Sequence, residues 1–240
     1  MFIFKFRSFA YCGACFIKLG QWMATRPDLF SDRFCSIFNE LHSNAPAHSE
    51  SATRKLLKQN NIQLKSTSKF LEKPLASGAI AQVYRCKIGD ADMIMKVRHP
   101  GVQKEIFYDL KILHLCTRLV TKCFSKSTFQ WLNIEDNIRS FTKNMLLQTN
   151  LMIETKNLQI FERNFEKYQT NIRFPHIDPS LPSAKDILFQ TYENGLLLND
   201  FMETCHDPKI RKQLAYLGVN AYLKMLFVDN FVSRTHIAFH

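Results

Sequence analysis

The stretch 75–99, LASGAIAQVYRCKIGDADMIMKVRH, contains two β-rich runs joined at Gly89-Asp90. In the second run Met93, Met95 and Val97 alternate with Ile94 and Lys96, the period of two that marks a strand. The glycine-aspartate pair supplies the turn, so the stretch predicts a hairpin. Its first half is interrupted by the small residues Ala76, Ser77, Gly78 and Ala79, where the chain turns between strand-like segments.

The sequence on either side of the hairpin reads mainly as helix. Before it, FIKLGQWMATRPDLF places Phe16, Leu19 and Met23 at helical spacing and should end at Pro27. A second helix should start with Ser31 as its N-cap, because Phe34, Ile37, Phe38 and Leu41 recur at three and four residues. Residues 43–50 read as a loop, and a third helix runs from about Ser49 to Asn60. Beyond the hairpin, Ile106, Leu110, Leu113 and Val120 predict a helix after Gly101. One long helix is expected over Ile134–Tyr168, with Ile138, Phe141, Met145, Leu151, Leu158, Phe161 and Phe165 on its apolar stripe. The proline-rich stretch from Phe174 to Gly195 reads as strand, loop and strand, and residues 207–231 close as a helix. Helices around a small sheet make the fold class α+β.

The 240 residues are 46% hydrophobic, enough for a sizeable core in one domain or two packed lobes. Lysine and arginine outnumber aspartate and glutamate by 32 to 21, a net charge of +11 that favours anionic partners. The seven cysteines are odd in number and scattered, which argues against a disulfide framework. Cys12 and Cys15 form a CxxC pair that could suggest a redox or half-zinc site, but no second pair completes a metal set. The alternative is two small apolar residues in a helix or at its entrance. No window holds the uninterrupted apolar run of a membrane span. Residues 1–27 are basic and phenylalanine-rich with no acid, which superficially fits a transit peptide and equally fits the opening of a longer protein.

Three features carry chemistry. Lys96 lies inside an apolar strand, which is costly unless an anion meets it; the alternative is an edge-strand lysine whose ammonium reaches solvent. The Ala76-Ser77-Gly78-Ala79 turn lies before it, and backbone amides without bulky side chains can approach phosphate oxygens closely. Glu154 shares a helical stripe with Leu151, Leu158 and Phe161, so its carboxylate points inward and needs a partner, or else sits at the rim of that stripe.

Taken in order, KLGQ, RPDLF, IAQVY and KVRHPGV followed by a glutamate-bearing helix resemble the UbiB/ADCK (aarF-domain-containing, ABC1-type) atypical kinase family, most closely its animal branch two. The resemblance runs from about Phe16 to Val232. It implies a protein-kinase-like N-lobe with a small antiparallel sheet. Residues 1–68 would be a helical extension, 69–195 the N-lobe with inserted helices, and 196–240 the start of an incomplete helical C-lobe. The family's KxGQ signature maps to Lys18, Gly20 and Gln21, on a helix that packs over the nucleotide site. Its alanine-rich loop maps to Ala76, Ser77, Gly78 and Ala79, its ATP-anchoring lysine to Lys96 and the paired glutamate to Glu154. The adenine hinge falls near Gln190, Thr191, Tyr192 and Glu193. ATP and Mg²⁺ are the implied cofactors, and mitochondrial lipid or coenzyme Q metabolism the implied setting.

Two departures stand out. Where the family has an ExD pair of acids, this chain has Gln148 and Asn150, which keep shape but lose charge, so metal affinity or the tie to Lys18 should weaken. Where the family continues with HxDxHPGN and then a DFG-like aspartate, residues 233–240 read SRTHIAFH. No residue matches the catalytic aspartate or the metal ligands, so the expectation is a truncated, catalytically inactive product. Its partners would be a nucleotide and, in an alternative reading, an anionic membrane surface, a lipid or another family member. Nucleic acid has only the dispersed charge in its favour.

Overall fold

The computed structural model describes residues 13–28, 30–39, 46–62, 73–123, 134–166, 172–196, 198–231 and 238–239. Cys12, the phenylalanine-rich opening, His236 and His240 lie outside the described residues.

The hairpin forms as the sequence predicts. Strands β1 (Ala76–Ser77), β2 (Ala81–Ile88), β3 (Ala91–Arg98) and β5 (Ile187–Thr191) make one antiparallel sheet in the order β1-β2-β3-β5. Gly89 turns it at a φ of 64°, a region that glycine enters without steric cost. Alternation then splits the sheet into two faces. Met93, Met95 and Val97 join Tyr84, Cys86, Ile187 and Phe189 on one, covered by Leu57 and Ile62. Lys96 belongs to the other, directly opposite Val83 on β2 and Leu188 on β5.

Helices pack around this sheet. Leu57 lies on α3 (Glu50–Gln59), whose N-cap Ser49 accepts from the Ala52 amide. Two helices precede it, α1 (Ala14–Ala24) and α2 (Asp32–Asn39). The Ser31 hydroxyl reaches the Phe34 amide at 3.4 Å, the cap that the sequence predicts. After the hairpin come α4 (Val102–Cys123), α5 (Ile134–Gln148) and α6 (Leu151–Glu166).

The single helix expected over Ile134–Tyr168 is thus two. Thr149 turns its hydroxyl back to the Leu146 carbonyl at 2.7 Å, and the Asn150 side chain accepts from the Met152 amide at 3.1 Å. Both side chains offer the backbone a local alternative to the helix ladder, which ends one helix and caps the next. The apolar stripe continues across the break and concealed it. Leu151 and Leu158 of α6 pack on Leu188 and Ile177, closing that helix onto the Lys96 face of the sheet.

The last segment also differs in detail. A short helix α7 (Leu198–Thr204) precedes α8 (Pro208–Leu223), which starts at the N-cap Asp207 and passes into one π-helical turn, Lys224–Val228. Met225 and Ala221 pack on Phe161 and Phe165 of α6. The Lys224 ammonium meets the Asp229 carboxylate at 2.7 Å, with each side chain only 10% exposed. Short strands β4 (Ile172–Arg173) and β6 (Ala238–Phe239) pair with each other. The architecture is α+β with a small antiparallel sheet, as the sequence implies.

Candidate functional site

Lys96 Nζ lies 2.8 Å from Glu154 Oε1 and 2.7 Å from Oε2, so one ammonium donates to both oxygens of a carboxylate 58 residues away. The strand's alternation turns Lys96 toward α6, and Glu154 in the first turn of that helix faces back. A carboxylate there is also favoured by the helix dipole. The two side chains are 28% and 25% exposed, so the pair is sheltered on one side and open on the other. It can therefore present a fixed cation to an anionic ligand while the glutamate holds that cation in place.

Arg98 locks the neighbouring end of β3. It donates to the Thr149 carbonyl at 2.7 Å and pairs with Asp186, tying the α5–α6 break to the turn before β5. Two residues along β3 from Lys96, about 7 Å at a strand's rise, Ile94 stands opposite Gln190. Gln190 Oε1 is buried without a hydrogen-bond partner. A buried acceptor left unsatisfied is a place for a ligand's donor. The neighbouring side chains of Thr191 and Tyr192 turn elsewhere. Thr191 accepts from the His176 amide and donates to Glu193 Oε1, and the Arg85 guanidinium lies 4.1 Å over the Tyr192 ring.

The Ala76-Ser77-Gly78-Ala79 turn is tightly held. The Gly78 amide donates to the Ala81 carbonyl at 2.9 Å, and Ser77 donates to the Pro46 carbonyl. A Cβ on Gly78 would come within 3.4 Å of the Ala81 oxygen, so the position has little room to spare. Ala79 and Ile80 are buried in one cluster with Ala14, Cys15 and Ile17 of α1, along with Ile106, Leu110 and Met145. Packing thus joins the small-residue turn to the helix that carries Lys18, Gly20 and Gln21. Gly20 and Gln21 are buried. Lys18 instead lines a cavity of about 200 Å³ between α1 and α5, shared with Trp22, Asn137, Asn144 and Gln148. The structure therefore brings Lys96 to Glu154 and the loop to α1, while Lys18 and Gln148 meet at a separate cavity. Asn150 is occupied as the cap of α6.

Burial works against a redox role for Cys15. The residue is almost fully buried, and its thiol is pushed up to about 12 by that burial and by the nearby Asp109 carboxylate. The thiolate is the nucleophile and the metal ligand, so a raised pKa disfavours both roles. Among the described residues, no group of three His, Cys, Asp or Glu side chains could hold a metal ion.

Sequence reasoning missed one feature altogether. His48, in a segment read as loop, sits 2.7 Å from His99 by their Nδ1 atoms, and His99 Nε2 lies 2.8 Å from the Gly78 carbonyl oxygen. His99 was visible within KVRHPGV. Nothing in its spacing pointed to a partner 51 residues upstream.

A small antiparallel sheet whose central-strand lysine is clasped by a helix glutamate defines a kinase-like lobe. The chain belongs to the ABC1 atypical kinase-like domain family, whose model matches residues 40–235. It is 35% identical over 230 residues to a probable serine/threonine-protein kinase, abkC, of Dictyostelium discoideum, covering 92% of this chain and 32% of that protein. It is 33% identical to an ABC1 family protein of Saccharomyces cerevisiae named as mitochondrial, covering 92% of this chain and 36% of that one. The chain therefore spans about a third of the length of the curated relatives it matches. A Mycobacterium tuberculosis protein solved in complex with erythromycin shares the fold, with a TM-score of 0.53 at 18% identity over 78% of this chain and 45% of that one.

Proposed function

We propose that this chain is the nucleotide-anchoring part of an ABC1 atypical kinase-like domain. Lys96, fixed by Glu154, would meet the α- and β-phosphates of ATP, and the Ala76-Ser77-Gly78-Ala79 turn would cover them. The adenine would lie toward Gln190, Thr191 and Tyr192, with the unsatisfied Gln190 Oε1 available to an amino-group donor. The observation that carries this reading is the double hydrogen bond between Lys96 and Glu154 at 2.7 and 2.8 Å.

The described residues offer no metal-ligand set, and Mg²⁺ would come as the counter-ion of the nucleotide's phosphates. The reading for these 240 residues is nucleotide binding. The setting, by similarity to relatives named as mitochondrial, is the mitochondrion, in lipid or coenzyme Q metabolism.

Titration calorimetry of the 240-residue chain with a non-hydrolysable ATP analogue tests this. Saturable binding that weakens about tenfold or more in Lys96→Ala is the expected result, since a charge-assisted phosphate contact is worth more than about 1.4 kcal/mol. Affinity equal in wild type and Lys96→Ala, or no binding at all, would sink it.

A further inference from the structure

The His48–His99 contact belongs to a longer chain of hydrogen bonds, and its proton order follows from the geometry. A carbonyl oxygen can only accept, so the 2.8 Å contact with Gly78 places a proton on His99 Nε2. Neutral His99 then has a bare Nδ1, and the 2.7 Å contact with His48 is a hydrogen bond only if His48 donates from its own Nδ1. His48 Nε2 is left as an acceptor, and the Thr53 hydroxyl at 2.9 Å donates to it. Thr53 in turn accepts from the Tyr84 hydroxyl at 2.9 Å, and the Tyr84 oxygen accepts from the Gln82 amide.

Gln82 cannot turn over to reverse this order. Its Oε1 accepts from the His48 backbone amide at 2.9 Å, while its Nε2 also donates to the His48 carbonyl at 3.2 Å. A flipped amide would set donor against donor and acceptor against acceptor. Gln82 is wholly buried, and Thr53 and Tyr84 are each 2% exposed, so water does not substitute for a missing partner. His99 also donates its backbone amide to the Ile80 carbonyl at 2.8 Å, so one residue holds one carbonyl within the small-residue turn and another just after it.

We infer that His99 and His48 are positioning residues for the Ala76–Ala79 turn, wired through Thr53 and Tyr84 to Gln82 in a single proton order that only two neutral imidazoles satisfy. The functional weight of this wiring rests on the reading that the turn covers the phosphates of a nucleotide. Adding a proton to either ring sets two N–H groups against one another, or turns the Thr53 hydroxyl toward Tyr84 and leaves the buried Tyr84 hydroxyl proton without an acceptor. Among the described residues, Glu105 on α4 acts on His99 through charge, and Tyr84 on β2 reaches the pair through Thr53.

The decisive experiment is long-range proton–nitrogen correlation spectroscopy on the 240-residue chain labelled at histidine with ¹⁵N, at pH 7. His99 should carry its proton on Nε2 and His48 on Nδ1, the less common tautomer in free histidine. The opposite tautomer at either ring, or an imidazolium, overturns the wiring whatever the nucleotide does. Thr53→Val breaks the chain away from the turn. It should raise amide exchange at Gly78 and His99 about tenfold and leave the β3–β5 amides unchanged; unchanged exchange at Gly78 also overturns it. His99→Gln keeps a donor near the Nε2 position and should restore the affinity for the ATP analogue that His99→Ala loses. If no variant binds the analogue but tautomers and exchange follow expectation, the nucleotide reading has failed and the wiring stands.

Discussion

At His48 the stability of the fold becomes a function of pH. Burial pushes this imidazole down to about 4, with the positive form of His99 adding to the effect, and burial lowers His99 as well. The unfolded chain binds protons near the ordinary histidine value of about 6.5, whereas the folded chain does not until lower pH. Between those values the unfolded state holds more protons, so stability rises with pH. The contribution is complete above about 6.5 and is lost progressively as pH falls toward 4. Thermal melts at pH 7 and pH 5 should therefore show a drop in Tm that shrinks in His48→Asn, which retains a donor near Nδ1 without a titrating ring. Equal drops in the two proteins would show that these rings do not titrate in this way. The lysine–glutamate pair was more legible than the histidines. Lys96 and Glu154 each broke an apolar pattern, and a charged residue on a buried stripe announces a partner. His48 broke no pattern, because a loop has none to break.

Among the elements, the α5–α6 break bears most on the site. Glu154 reaches Lys96 only because α6 starts at Leu151, with the Leu151 amide donating to the Lys185 carbonyl and Asn150 capping the turn that contains the glutamate. A continuous helix through residue 150 would leave no cap there and would set α6 along the direction of α5. Removing the cap in Asn150→Ala should cost about 1 kcal/mol, a fall in Tm of about 2–4 °C for a chain of this size. Asn150→Asp should keep the bond to the Met152 amide and add a charge suited to a helix N-terminus, so its Tm should match or exceed wild type. Calorimetric scans of the two variants check this, and a destabilised Asn150→Asp would show that the cap is not what the position supplies. Hairpin, sheet and most helices could be read from periodicity. The break could not, since Met145, Leu151 and Leu158 keep an apolar rhythm on both sides of it and the local competition of Thr149 and Asn150 for backbone groups leaves hydropathy unchanged.

The molecule as a whole carries opposing tendencies on its surface. One side of α8 and its π turn is packed on α6 through Ala221 and Met225. On the rest, Tyr216, Val219, Tyr222, Phe227 and Val228 are each more than half exposed. Large apolar side chains at such spacing form a stripe of the kind that soluble monomers rarely leave bare. A net charge of +11 acts against contact between two copies, and salt screens that repulsion over about 10 Å at 0.1 M. Self-association of the 240-residue chain should therefore increase as salt is raised, the reverse of what contacts between opposite charges would give. Tyr222→Lys with Phe227→Lys removes two exposed rings and adds charge to the same face. Since neither ring is buried, stability should move by no more than about 0.5 kcal/mol while the monomer fraction rises. Light scattering on eluting peaks at low and high salt measures both effects. A wild-type chain that stays monomeric as salt rises, or a double variant that associates as strongly as wild type, would place the sticky surface elsewhere, the nearest alternative being the exposed Tyr108, Ile112, Leu115 and Leu119 on α4.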